Sequence, residues 1–311
     1  MQRNSKIFIV GHNDSVENSL RKYFKKQGFP FVVSNTQDRI DVLDQSKVAD
    51  FFKTFRPEYV FLGSLRSGGI GANQRSPAEF IYENTQSQNL VIEASQRWAV
   101  KKLLYLSSSC VYPKEAKQPV KETSLLTGPL EVTSEPYAVA KIAGAKMCQA
   151  YKAQYGFNAI AAVPATLYGP GSDTDIESAH VLGSLIAKFH KARVEGAKEV
   201  IVWGSGKPRR EFLHVDDFVS ACCLLMEKYE KADLINVGTG NDVTIKQLAA
   251  MIKSIIGYKG KIKFDAGKPD GTKRKLLDTT RMRKLGWKPK VGLEEGIEKT
   301  YKWYIHQEGK I

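Results

Sequence analysis

The sequence predicts an α/β protein, a doubly wound parallel sheet joined to a smaller C-terminal α/β unit. Three observations carry that prediction. Short apolar runs alternate with amphipathic stretches through the first two-thirds of the 311 residues, the β-α-β order that builds parallel sheets. The alternation loosens after Tyr168-Gly169-Pro170-Gly171. A chain of this length also buries enough surface for one large core or two interleaved ones.

Ile7-Phe8-Ile9-Val10 reads as the first strand. A helix over residues 16–26, a strand over 31–33, a helix over 48–55 and a strand over 59–62 follow. A long helix over 79–98 leads to a buried strand over 103–106. A second long helix runs over 137–155, and Pro136 suits its start, because the N–H that proline lacks has no helical partner there. The next strand is residues 159–163. Beyond Gly171 the pattern gives a strand over 199–203, a helix over 215–229 and a strand over 234–237. Thr244 is an N-cap for a helix over 245–256, and an amphipathic helix over 293–305 comes last.

Composition narrows the function classes. Hydrophobic residues make up 42%, which is ordinary for a soluble globular protein. No apolar run approaches the ~20 residues of a membrane span, and the first apolar run is too short for a signal-peptide core. Cys110, Cys148, Cys222 and Cys223 lack metal-ligand spacing, so reduced thiols and a cytoplasmic protein are expected. The formal charge is +14, but the lysines are dispersed, unlike the basic stripe of a nucleic-acid binder. Such a balance suits a solvated surface and an anionic small-molecule site. Lys207-Pro208-Arg209-Arg210 and Lys273-Arg274-Lys275 are candidate holders of a diphosphate.

The chemistry concentrates in one constellation. Tyr137 and Lys141 stand four residues apart, so they share a helix face. A nearby ammonium lowers a phenol pKa and suits tyrosine to proton transfer. Among 13 tyrosines such a pair also arises by chance. Its order in the chain gives it weight: the strand over 103–106 delivers Ser107-Ser108-Ser109-Cys110 at its carboxyl end, where open α/β sheets bind ligands. A serine hydroxyl opposite the phenol completes a carbonyl-reducing or alcohol-oxidising site beside a nicotinamide.

Longer strings carry a resemblance. They are Ser108-Ser109-Cys110-Val111-Tyr112-Pro113-Lys114, Glu135-Pro136-Tyr137-Ala138-Val139-Ala140-Lys141-Ile142-Ala143-Gly144 and Leu167-Tyr168-Gly169-Pro170. Further on come Val202-Trp203-Gly204-Ser205-Gly206, Arg210-Glu211-Phe212-Leu213-His214-Val215-Asp216-Asp217 and Lys268-Pro269-Asp270-Gly271 leading to Arg274-Lys275-Leu276-Leu277-Asp278. In these the chain resembles the GDP-L-fucose synthases, extended short-chain dehydrogenases/reductases, over nearly its whole length. The resemblance implies a Rossmann-like fold, with residues 1–170 and 213–240 binding a dinucleotide and residues 171–212 and 241–311 binding a GDP-sugar. It implies that a GDP-4-keto-6-deoxy sugar is epimerised at C3 and C5 and then reduced at C4 with NADPH. Ser108, Tyr137 and Lys141 match the reductive triad, with Lys141 lowering the Tyr137 pKa and holding the nicotinamide ribose. Cys110 and His180 match the epimerisation pair. Arg210 and Lys275 match positions on the GDP diphosphate, Trp203 matches a substrate-side aromatic, and Ser109, Thr166 and Lys188 complete the substrate contacts. Gly11, Asn13, Arg39 and Lys141 are the implied NADP-binding residues, and the two long helices imply a homodimer.

The dinucleotide loop departs from the family. Its Gly-x-x-Gly-x-x-Gly pattern is here Gly11-His12-Asn13-Asp14-Ser15-Val16-Glu17. Asp14 and Glu17 put carboxylates where an anion should approach a helix N-terminus, and Asp14 is a ready N-cap. Asn13, Asn35 and Gln37 stand near the place of the family's 2′-phosphate arginines, with Arg39 close by. Arg66 brings bulk and charge into an otherwise small segment, and Thr166 replaces an asparagine. Two other readings stay open: a cofactor-free GDP-4-keto-sugar epimerase, and a non-catalytic GDP-sugar-binding subunit.

Overall fold

The computed structural model describes residues 1–308 apart from Asn13, Glu177 and Pro269, and of Glu308 the backbone alone. The first half runs β1 (Ile7–Val10), α1 (Ser15–Lys26), β2 (Val32–Ser34), α2 (Gln45–Phe55), β3 (Tyr59–Leu62), α3 (Ile70–Arg75), α4 (Pro77–Arg97), β4 (Lys102–Leu106), α5 (Glu135–Tyr155) and β5 (Ala159–Pro164). Then follow β6 (Thr166–Tyr168), α6 (Val181–Val194), β7 (Glu199–Trp203), β8 (Arg209–Arg210), β9 (Phe212–His214), α7 (Val215–Lys228) and β10 (Ile235–Val237). The chain closes with β11 (Val243–Thr244), α8 (Ile245–Ile256), β12 (Lys261–Asp265), β13 (Arg274–Lys275), α9 (Thr280–Lys284) and α10 (Leu293–Glu308).

Six strands form one parallel sheet in the order β10-β5-β4-β3-β1-β2. Its strands are apolar because helices cover both faces. Ile7, Phe8, Val60, Phe61, Leu103, Leu104 and Ile160 are fully buried in the larger core. A second core joins Leu182, Ile186 and Phe189 of α6 to Leu248 and Ile252 of α8 and Ile297 of α10. Three small sheets, β11-β8-β13, β12-β7 and β6-β9, accompany it. Glu211, 2% exposed, stitches the two regions. Its carboxylate accepts from Leu277 N at 2.8 Å and Gly240 N at 2.6 Å.

The expected strands and the long helices are present, with ends displaced by a few residues. Thr244 caps α8 in a reciprocal box with Gln247. Three helices that the pattern did not predict, α3, α6 and α9, have Gly69, His180 and Thr279 at their N-caps and no side-chain cap bond. Helix α6 is buried on every side from Leu182 to Ala187, so its first turns show no polar stripe and no start signal. All four cysteines are free and buried. Among the described residues no helix is long and apolar enough to cross a membrane.

Candidate active site

The carboxyl ends of β1, β3 and β4 open onto one groove, and α5 supplies its far wall. Ser108 ends the segment after β4 and starts a tight turn over Ser109–Val111. Its Oγ accepts from Cys110 N at 3.4 Å and from the Cys110 thiol at 3.2 Å. Tyr137 and Lys141 lie in the first turns of α5, on one face. The phenol of Tyr137 is 3.0 Å from Ser64 Oγ, and Ser108 is near enough to draw its pKa down.

Lys141 is 1% exposed. Its ammonium lies 4.4 Å from the centroid of the Tyr105 ring, and no carboxylate pairs with it among the described residues. Burial pulls its pKa down to about 7, against the opposing charges of Cys110, Cys148 and Asp14. The Tyr105 ring is itself held by a 2.7 Å bond from its hydroxyl to Gln88. Gly144 permits this packing, since a Cβ there would come within 2.4 Å of the Tyr105 hydroxyl.

Here the sequence expectation is corrected. Lys141 was expected to lower the Tyr137 pKa, but burial raises it instead, with Cys110 and Asp14 adding to the rise. Desolvation outweighs an ammonium that is itself only about half protonated at neutrality. Tyr137 is therefore a protonated phenol at pH 7.

Cys110 is 8% exposed, and burial raises its pKa, with the Lys275 charge opposing. His180 is the exposed N-cap residue of α6. Crowding by protein lowers its pKa, followed by the charge of Lys275. The resting forms are thus a neutral thiol and a neutral imidazole, with Lys275 acting on both and Lys141 on the thiol as well.

Register decides which cations face the cleft. Strands β8 and β13 pair in parallel, Arg209 with Arg274 and Arg210 with Lys275. Paired residues share a face, and neighbours in a strand take opposite faces. Arg209 and Arg274 both bind Asp242, at 2.8 and 2.5 Å. Arg210 and Lys275 turn the other way. Arg210 Nη1 donates to Thr272 O at 2.6 Å, and Lys275 shares a small cavity with Ser109, Cys110 and Glu131. Trp203 is 57% exposed, not packed in a core. Two ammonium groups lie over its ring, that of Lys188 5.2 Å from the centroid and that of Lys268 5.3 Å away. Thr166 opens β6 beside Phe212.

The dinucleotide loop is closed on itself. Asp14 caps α1, its Oδ1 accepting from Glu17 N at 2.8 Å, and lies 3.6 Å from the His12 ring. Glu17 is 1% exposed and is turned inward, where its carboxylate accepts from the Thr36 hydroxyl. Gly11 exchanges two bonds with the Asn35 side chain, at 2.8 and 3.1 Å. Arg39 is exposed in a left-handed turn, and Asn13 lies outside the described residues. Arg66 does not intrude, as its bulk had suggested. Its guanidinium forms a bidentate pair with Glu83 of α4, at 2.8 and 2.9 Å.

These residues fit one half of a nicotinamide dinucleotide. A buried ammonium beside a phenol ring, with no carboxylate partner among the described residues, suits the nicotinamide ribose. At the other half, the Asp14 carboxylate already takes the helix-end donor that a diphosphate normally uses. Sequence reasoning missed Ser64, His12, Thr36 and Asn84. None carries a local signal, because each acts through a partner distant in the chain.

Residues 3–238 match the family described as NAD dependent epimerase/dehydratase, and the chain belongs to that family. It is 47% identical over 303 residues to GDP-L-fucose synthase 1 of Arabidopsis thaliana, covering 97% of this chain and 94% of the relative. It is 45% identical over 315 residues to GDP-L-fucose synthase of Escherichia coli (strain K12), covering 98% of each. Among solved structures, the GDP-mannoheptose C4 reductase from Campylobacter jejuni with NADP bound superposes with a TM-score of 0.90. That match has 40% identity and covers 98% of this chain and 99% of the other.

Proposed function

We propose that the protein epimerises a GDP-4-keto-6-deoxy sugar at C3 and C5 and reduces it at C4, as a cytoplasmic homodimer. The observation that carries this is the convergence of Ser108, Cys110, Tyr137 and Lys141 at the carboxyl edge of β4, opposite Lys275. Nearly full-length likeness to GDP-L-fucose synthases supports the same reaction. Exposed apolar side chains on the two long helices, Tyr82 and Val139 among them, support the dimer.

Residues 171–212 and 241–311 hold the nucleotide sugar. Arg210 and Lys275 neutralise its diphosphate, Trp203 with Lys188 presents a flat cationic edge, and Ser109 and Thr166 contact the sugar. Residues 1–170 and 213–240 hold NADP through Gly11, Arg39 and Lys141. When bound, the reduced nicotinamide supplies the hydride for C4.

Ser108 and Tyr137 donate hydrogen bonds to the C4 oxygen, which stabilises the enolate formed during epimerisation. The neutral imidazole of His180 removes the proton next to the ketone, and the thiol of Cys110 returns one to the opposite face. In reduction Tyr137 gives its proton to the C4 oxygen as the new C–H bond forms. Lys141 limits the charge that builds on the phenol.

Asp14 and Glu17 support a second feature of this function, weak NADPH affinity. With its helix-end donor already used, the chain would epimerise faster than it reduces.

The test follows GDP-4-keto-6-deoxymannose in D2O with and without NADPH. Inverted product carrying deuterium at C3 and C5, lost in Cys110→Ser, and NADPH oxidation, lost in Tyr137→Phe, are expected. Exchange without oxidation at saturating NADPH would leave a cofactor-free epimerase. Neither exchange nor oxidation, with GDP still bound, would leave a binding subunit.

A further inference from the structure

We propose that Ser64, on the segment after β3, is a positioning residue for the Tyr137 phenol. It supplies from the chain itself a hydrogen bond that stabilises the phenolate left when Tyr137 gives up its proton. The inference rests on the reading of Tyr137 as the proton donor.

The contact joins residues 73 positions apart, with Ser64 Oγ 3.0 Å from the Tyr137 hydroxyl. Both ends are fixed by helix α4. Asn84, buried on that helix, accepts from Leu65 N at 3.0 Å and Arg66 N at 3.3 Å, and donates to Arg66 O at 3.0 Å. One turn earlier, Phe80 sets its ring edge against the Tyr137 ring, centroids 6.0 Å apart. Asn84 also donates to Phe80 O at 2.7 Å, so the two grips share one register.

The segment is held from the other side as well. His12 Nδ1 lies 2.8 Å from Ser64 O and its Nε2 lies 3.1 Å from Ser67 Oγ. Gly63 N donates to Val10 O at 2.8 Å, an approach so close that a Cβ at Gly63 would sit 2.7 Å from that oxygen. Outside the segment, Arg66 is tied to Glu83. A hydroxyl held on three sides is preorganised, and preorganised donors act most strongly where charge develops.

The chemistry follows from the bond. As the C4 oxygen takes the Tyr137 proton, negative charge appears on the phenolic oxygen. Ser64 then donates its O–H to that oxygen without transferring the proton. A hydrogen bond to the charged form favours it, and Ser64 indeed draws the Tyr137 pKa down against the larger effect of burial.

Two readouts on the full chain test this. With tyrosine labelled at Cζ, the Tyr137 resonance is identified by its loss in Tyr137→Phe. Ser64→Ala should move that resonance and Ser64→Thr should restore it. In turnover of GDP-4-keto-6-deoxymannose, Ser64→Ala should lower kcat about tenfold, the worth of one hydrogen bond to a charged oxygen. KM should change less than about twofold, and the pH limb assigned to Tyr137 should rise. Ser64→Thr should recover kcat to within about threefold. A Tyr137 resonance indifferent to Ser64→Ala overturns the proposal, as does an unchanged kcat. If no variant turns over but the resonance still moves, the pairing stands and only the reductase reading fails.

Discussion

Replacing Asp14 with glycine should trade a little stability for cofactor affinity. Asp14 caps α1 through its bond from Glu17 N, and its charge sits at the positive end of the helix dipole. Glycine is a tolerable N-cap, costing only a few tenths of a kcal/mol. Losing the carboxylate from the dipole removes about 0.3–1 kcal/mol more. A net loss of about 1 kcal/mol corresponds to roughly 2–3 °C in Tm for a chain of this size. The freed donor can instead meet a diphosphate oxygen, and a hydrogen bond to a charged group contributes about 1.5–3 kcal/mol. NADPH should therefore bind roughly 10–100-fold more tightly. Asp14 also raises the Tyr137 and Lys141 pKa values through its charge, so both should fall. The assay is calorimetric titration of NADPH beside a thermal melt, with Asp14→Asn as companion, since it removes the charge and keeps a cap. If neither variant binds NADPH more tightly than the parent, the reasoning about the occupied helix end is wrong.

Lys141 should make stability rise with pH. Its folded pKa of about 7 lies below the usual lysine value, so its protonation favours the unfolded chain. The penalty is full below pH 7 and fades as pH climbs toward about 10.5. Between pH 7 and 9.5 this group alone contributes about 3 kcal/mol, and urea titrations should show Lys141→Met losing that part of the slope. An equal slope in both proteins would contradict the buried charge. Gly144→Ala should cost about 2–3 kcal/mol in the same titration, because its Cβ meets Tyr105 and Gln88 and overpacking outweighs the gain in helix propensity. A neutral result would mean that α5 shifts at no cost. Glu211→Gln should destabilise by about 2 kcal/mol, since an amide cannot accept on both sides from Leu277 and Gly240. A change within about 0.5 kcal/mol would show that the stitching between the two cores carries little.

The parts of this protein legible in the sequence are those set by local periodicity. Apolar runs marked β1, β3, β4 and β5, because a strand buried on both faces reads as one unbroken apolar run. The i, i+4 spacing put Tyr137 and Lys141 on one face of α5 before any contact was visible. Thr244 and Asp14 announced their caps, because a cap bond spans only three residues. Helix α6 escaped notice because its first turns are buried on every side and it starts without a side-chain cap. The tertiary structure alone decided the rest. Strand register sent Arg210 and Lys275 to the cleft and gave Arg209 and Arg274 to Asp242, though all four read alike as basic loops. Folding carried Arg66 to Glu83 and Ser64 to Tyr137, partners with no shared pattern in the chain. It also reversed the sign of the Tyr137 shift. A residue's neighbours within one turn are written in the sequence, but the water it loses depends on every element packed around it.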